Sequence, residues 1–199
     1  MSVRPYVVAS VAVSLDGRID DAGPDRLVLS GPDDLDRVDG VRAGVDAILV
    51  GAGTVRSDDP RLLVRSPERR AARVARGLAE TPLRVVLSGG GPLDPAACVF
   101  TGPPTLVLTP GAGGVAAALE QLREHGVERL LVEGGATVHT AFLAADLVDE
   151  LHVAVAPILV GGGPRFVHAG AFPPARWRLA GVDTVGDVAV LRLLRGPRG

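Results

Sequence analysis

Lysine and asparagine are absent from this 199-residue chain, and all 21 basic residues are arginine. That excludes a phosphate-loop lysine, a Schiff-base lysine and a kinase-type lysine. Any anion chemistry must rest on arginine, hydroxyls or backbone amides, and the forked guanidinium suits phosphate. The single cysteine, Cys98, has no partner for an internal disulfide, which fits a reducing cytoplasm. One tryptophan, one tyrosine and four phenylalanines are too few for a base-stacking surface, and a net charge of −2 supplies no basic footprint. No apolar run reaches transmembrane length, and the opening MSVRPYVV lacks a cleavable signal pattern. The expectation is a cytoplasmic protein with neither nucleic acid nor membrane as partner. The four histidines, His125, His139, His152 and His168, stand at least thirteen residues apart, so no HxxxH metal pair exists. No GxSxG elbow is present either. The expected metal content is therefore none, with His139 and His152 read as surface or rim residues and Cys98 as buried filler.

Apolar residues make up 47% of the chain and charged residues 22%, values that suit one globular domain over residues 1–199. The chain is organised around AILVGAGTVRSDDPRLLVR, Ala47 to Arg65. It opens as a buried strand, Ala47 to Val50, and breaks at Gly51-Ala52-Gly53-Thr54. Glycines straight after a strand let a ligand approach the backbone and expose amide donors. Pro60 biases Asp59 toward an extended backbone, so Ser57 to Pro60 reads as a shaped turn and not a helix.

Tyr6 to Leu15 reads as a buried strand ended by the turn Ser14-Leu15-Asp16-Gly17. Asp16 is either turn chemistry or part of a cleft rim. Ser30-Gly31-Pro32 reads as a helix start, with Asp33 and Asp34 in the first turn. Leu35, Val38 and Arg42 follow on one stripe, which turns Arg42 inward. Two readings stand for Arg42: a helix C-terminal charge before Gly44, or an anion ligand. Arg65 to Thr81 reads as a solvated loop with, at most, a short helix. Leu83 to Leu87 is a strand ending in a flexible Ser88-Gly89-Gly90-Gly91 turn, and Thr105 to Thr109 is another strand. Gly114 to His125 is an amphipathic helix stopped by Gly126. Arg129 to Val132 is a strand, and Glu133-Gly134-Gly135 leads into a helix with Val138, Ala141, Phe142 and Ala145 on one face. This strand, Gly-Gly turn and helix form a second candidate site, since free amides and the positive helix end suit a pyrophosphate. Leu151 to Ala156 is a strand, and Arg176 to Val185 with Asp187 to Arg195 read as a terminal hairpin around Gly186-Asp187. Alternating strands and helices closed by a hairpin predict a three-layer α/β/α fold, with a mostly parallel central sheet and an antiparallel C-terminal hairpin.

Three stretches resemble the riboflavin-pathway pyrimidine reductases, in the family's order: SVAVSLDGRI from Ser10, GAGTVRSDDPRLLVR from Gly51, and LLVEGGATVHTAFLAADLVDELHVAVAPILVGG from Leu130. The sequence departs from the family pattern at Ser10, where bifunctional enzymes carry lysine. It departs again at Asp39-Gly40-Val41-Arg42-Ala43, for H-x-L-R-A, and at Leu63, for threonine. The resemblance implies a dihydrofolate-reductase-like fold, a homodimer, and NADPH-dependent transfer of hydride to the ribose C1′ of a phosphoribosylamino-pyrimidine. It implies cofactor contacts from Thr54, Asp58, Gly134, Gly135, Ala136, Thr137 and Val138. It implies substrate contacts from Ser30, Arg42, Asp58, Arg65 and Glu133, with Asp58 and Glu133 as the candidate catalytic carboxylates. The strand Leu151 to Ile158 and the terminal hairpin are expected at the dimer interface. Two other functions fit the same fold: a reductase of dihydrofolate or another pterin or carbonyl substrate, and a non-catalytic nucleotide-binding homodimer.

Overall fold

The computed structural model describes residues 4–23, 27–170, 172–173 and 176–196. In chain order the elements are β1 (Tyr6–Ser14), α1 (Pro32–Ala43), β2 (Ala47–Gly51), α2 (Ala52–Asp58), α3 (Pro67–Val74), β3 (Leu83–Leu87) and β4 (Thr105–Leu108). Then follow α4 (Gly114–Glu124), β5 (Arg129–Gly134), α5 (Ala136–Ala144), β6 (Glu150–Ala156), β7 (Trp177–Val185) and β8 (Val188–Arg195). Among the described residues eight strands form one sheet in the order β4-β3-β2-β5-β1-β6-β8-β7. From β4 to β6 every pairing is parallel, while β8 runs antiparallel to β6, and β7 to β8.

Alternation along the strands builds two cores, one on each face. Val7, Leu49, Val85, Leu130 and Val132 pack against α4 (Val115, Ala118, Leu119, Leu122) and α5 (Val138, Phe142). Their neighbours Val8, Ile48, Val50, Val86 and Leu131 pack with Ala52 and Val55 of α2 and with Val41 of α1. β2 lies inside the sheet with both faces covered, and its apolar run Ala47–Gly51 is buried at all five positions. The expected three-layer fold, parallel sheet and closing hairpin are present.

Several local expectations differ from the structure. Ala52–Asp58 is a helix, although two glycines and Pro60 argued for a turn. Asp59 closes that helix in the left-handed region (φ 42) rather than extended, and its carboxylate accepts the Cys98 amide at 2.7 Å. That tertiary hydrogen bond compensates the backbone bias. Residues 67–74 form α3, capped by the Ser66 hydroxyl, which accepts the Arg69 amide. On α1 the buried residues are Asp34 and Asp39, while Leu35 is exposed. His139 and His152 are buried, not at the rim, and Cys98 is half-buried. β6 is an interior strand between β1 and β8.

Candidate functional site

In open α/β sheets, ligands bind at the C-terminal ends of the parallel strands. Here the ends of β2 and β5 lie side by side, and each runs directly into a helix. The Thr54 hydroxyl on α2 accepts the Gly135 amide at 3.0 Å, which stitches the two glycine turns together. All three nearby glycines are close approaches. A Cβ on Gly51 would lie 2.8 Å from Val138 Cγ2, and one on Gly135 would lie 3.0 Å from Thr54 Oγ1. Gly134 has φ +121, and its added Cβ would lie 3.0 Å from His139 Nε2. The first intrahelical bond of α5 runs from the His139 amide to the Gly135 carbonyl at 3.0 Å. The amides of Ala136, Thr137 and Val138 therefore precede the hydrogen-bonded ladder, and no side chain caps the helix.

The β2–β5 register slips between Leu49 and Val50, which pair with Val132 and Gly134. Glu133 is thus the extra residue of a β-bulge, a device that re-aims a side chain. Its carboxylate meets Arg42 of α1 in a two-pronged ion pair, Nε–Oε1 and Nη2–Oε2 both 2.6 Å. Arg42 Nη1 also donates to the Leu63 carbonyl at 3.1 Å. Glu133 holds the Arg42 guanidinium pKa above its ordinary value, although burial alone would lower it. The inward placement of Arg42 is therefore real, and its partner is Glu133.

The remaining expected residues stand apart from this pair. Asp58 ends α2, half-buried, and accepts the Ser57 hydroxyl at 2.6 Å. The Ser30 hydroxyl donates to Asp34 at 2.6 Å, and Asp34 also accepts from Arg37 at 2.7 Å. The Arg65 side chain is exposed while its amide is held by Asp39. Asp39 also accepts from Ser66 N at 3.2 Å and Arg69 Nη1 at 3.0 Å, so it shapes the segment carrying Arg65. Burial raises the Asp39 pKa, but those hydrogen bonds outweigh it and leave it below the ordinary value.

Two features of the site were not found in the sequence. Ser88-Gly89-Gly90-Gly91 continues the same sheet edge from β3, next to β2, with Gly90 and Gly91 at φ 114 and 88. Arg56 of α2 reaches across to the Pro92 carbonyl at 3.2 Å. The glycine run was a visible sign, but only strand order shows that it borders β2. The second feature is a strap, residues 157–170. Asp16 accepts the Val160 and Gly161 amides at 3.0 and 2.9 Å and the Ser14 hydroxyl at 2.8 Å. These bonds hold the Asp16 carboxyl well below the usual carboxylate range. Arg18 Nη1 donates to the Gly163 carbonyl at 2.7 Å, and the far end of the strap crosses α5 at His168. Asp16 therefore anchors this strap as well as its own turn.

Among the described residues no group of three or more His, Cys, Asp or Glu side chains is arranged to hold a metal ion. No helix among them is long and apolar enough to cross a membrane.

A parallel sheet with glycine turns and a helix N-terminus at its C-terminal edge, finished by an antiparallel hairpin, defines the dihydrofolate-reductase-like class of α/β proteins. Within that class, the RibD C-terminal domain model matches residues 5–191, and the chain belongs to that family. It is 38% identical to the 2,5-diamino-6-ribosylamino-4(3H)-pyrimidinone 5′-phosphate reductase of Archaeoglobus fulgidus, with 80% of this chain and 84% of the relative covered. The enzyme of the same name from Methanothermobacter thermautotrophicus is 37% identical, with 80% and 81% covered. Among solved structures, Acinetobacter baumannii RibD superposes with a TM-score of 0.83 at 28% identity, covering 98% of this chain. The chain spans only 59% of that RibD chain.

Proposed function

We propose that this chain is an NADPH-dependent reductase of the riboflavin-biosynthesis type, reducing a 5-phosphoribosylamino-pyrimidine to its ribitylamino form. The names of the two archaeal relatives support the pathway and make 2,5-diamino-6-ribosylamino-4(3H)-pyrimidinone 5′-phosphate the first substrate to test. The observation that carries the reading is the Thr54–Gly135 stitch, which joins two glycine turns in front of the uncapped N-terminus of α5. The residues present fit a dinucleotide: Gly51, Gly134 and Gly135 let the two turns pack closely against Val138, His139 and Thr54, and three amides at the start of α5 lack helical partners. Thr54, Asp58, Gly134, Gly135, Ala136, Thr137 and Val138 would hold it, with Arg56 and Ser88 to Gly91 extending the same edge. When bound, NADPH supplies the hydride.

The protein's own part is alignment and electrostatics. Glu133 is pinned by Arg42, so its remaining lone pairs are aimed to accept hydrogen bonds from sugar hydroxyls. Arg42 acts on the substrate pocket by holding Glu133. Arg65, exposed, would meet the substrate phosphate, with Ser30 as a hydroxyl near the start of α1. Asp58 stands at the end of α2 as the second carboxylate for the sugar or for proton balance. The chain acts as a homodimer through the β7–β8 hairpin, whose Leu179 and Val182 are exposed; light scattering at a dimer mass tests this.

The deciding experiment is calorimetric titration with NADPH, followed by turnover assays on the ribosylamino-pyrimidine phosphate and on dihydrofolate. Binding and turnover of the first substrate are expected. Faster turnover of dihydrofolate would replace the substrate assignment, and binding with no turnover of either would leave a nucleotide-binding protein. Activity is expected to survive exhaustive chelation.

A further inference from the structure

The strap ends on the N-terminal half of α5 with two contacts of different kinds. The His168 amide donates to the Thr140 hydroxyl at 2.8 Å, a main-chain anchor that any residue could make. The His168 imidazole lies with Nε2 3.1 Å from the Thr137 hydroxyl, a contact only its side chain makes. Thr137 is the second residue of α5, among the amides that precede the helical ladder. Beneath the first turn of α5 is the buried His139 ring, with no hydrogen-bond partner at either nitrogen and Nε2 against Gly134. The turn is thus polar on both sides, and His168 is the side chain joining the strap to it.

We infer that His168 is a positioning residue for the cofactor's pyrophosphate: Nε2–H donates to Thr137 Oγ1 and so turns the hydroxyl's own proton toward a phosphate oxygen. A hydroxyl has one proton and two lone pairs, so a donor on one side fixes what it offers on the other. The inference rests on the cofactor site proposed above.

Dissociation constants for NADPH and NADH, by calorimetry, test it without turnover. Thr137→Val should weaken both nucleotides roughly ten- to a hundred-fold, as expected for losing a hydrogen bond to a charged group. His168→Ala should weaken both by about three- to ten-fold and by the same factor, because the pyrophosphate is common to them. The KM for the pyrimidine should stay put. His168→Gln, which keeps an N–H donor, should recover part of the loss. In the Thr137→Val background, His168→Ala should have almost no further effect. Full additivity of the two substitutions would overturn the inference. So would a Thr140→Ala variant that reproduced the His168→Ala loss, because the strap's anchoring would then be the cause. Gly135→Val separates the two levels. If it weakens NADPH binding and His168→Ala does not, only this inference fails. If neither does, the cofactor site itself is elsewhere.

Discussion

Arg42 and Arg65 look alike in the sequence, as two arginines flanking a polar turn region, and the fold gives them opposite environments. Arg42 is largely covered and donates from Nε and Nη2 to Glu133, whose side chain is 12% exposed. Removing one partner of a buried pair strands the other, at a cost of about 3 kcal/mol. Arg42→Ala should therefore lower Tm by roughly 6–12 °C in a domain of this size, and calorimetric unfolding checks it. Arg65→Ala should leave Tm unchanged and raise the KM for the phosphorylated pyrimidine about ten-fold or more, with little change for a dephosphorylated analogue. Equal effects on both substrates would make Arg65 a structural residue. Helical spacing put Arg42 on a stripe with Leu35 and Val38, yet Leu35 is exposed, so Arg42 is covered through its ion pair and not through that stripe. Its partner was not legible, because Glu133 reaches it through a β-bulge and a bulge leaves no mark on periodicity. Asp34 and Asp39 were illegible for a related reason. They are buried on α1 because hydroxyl, guanidinium and backbone donors converge on them, and hydropathy patterns register an aspartate only as polar.

Among the elements, the sheet strands were readable nearly to the residue, since short apolar runs such as Ala47–Gly51 are bounded by turn residues. α2 was not. Gly53 and Pro60 argue locally against helix, yet Ala52 and Val55 gain burial in the second core and Asp59 finds the Cys98 amide. Tertiary contacts outweigh a propensity penalty of about 1 kcal/mol for a helical glycine. The strap shows the same dependence on distant partners. Its amides at Val160 and Gly161 bond to a carboxylate 144 and 145 positions earlier in the chain. Asp16→Ala should raise the amide exchange rates of Val160 and Gly161 about ten-fold, while core strand amides keep their protection. Exchange measured by NMR decides this, and unchanged rates would show that Arg18 and the main chain hold the strap unaided.

At the scale of the whole molecule, two of the buried titratable centres among the described residues, His139 and Glu150, have pH windows that can be told apart. His139 lies under the glycine turn, and burial depresses its pKa from 6.5 to about 4. A histidine depressed in the folded state binds its proton more readily when unfolded. Its contribution is thus full above about pH 6.5 and is lost as pH falls toward 4. Glu150 is the second centre, accepting from Tyr6 at 3.0 Å, Arg129 at 3.1 Å, His152 at 2.8 Å and Arg192 at 2.6 Å, and so tying β1, β5, β6 and β8 together. Burial pushes its pKa up, but the hydrogen bonds from Arg192, His152 and Tyr6 prevail and hold it at about 2. A depressed carboxylate stabilises above its unfolded value near 4.5, and that stability is lost as pH falls toward 2. Each shift corresponds to about 3 kcal/mol. His152, depressed by burial, adds to the upper window. Urea unfolding of wild type should therefore show stability falling in two stages on acidification. Glu150→Gln should be destabilised at pH 7 and show a shallower fall between pH 4.5 and 2, the remaining slope coming from depressed carboxylates such as Asp16 and Asp39, with much of the upper stage retained. His139→Leu removes two unpartnered ring nitrogens, so at pH 7 it should stay within about 1.5 kcal/mol of wild type. Between pH 6.5 and 4 it should lose most of the slope and keep the lower stage. The same slope in His139→Leu as in wild type would show that the imidazole is not the group that titrates there.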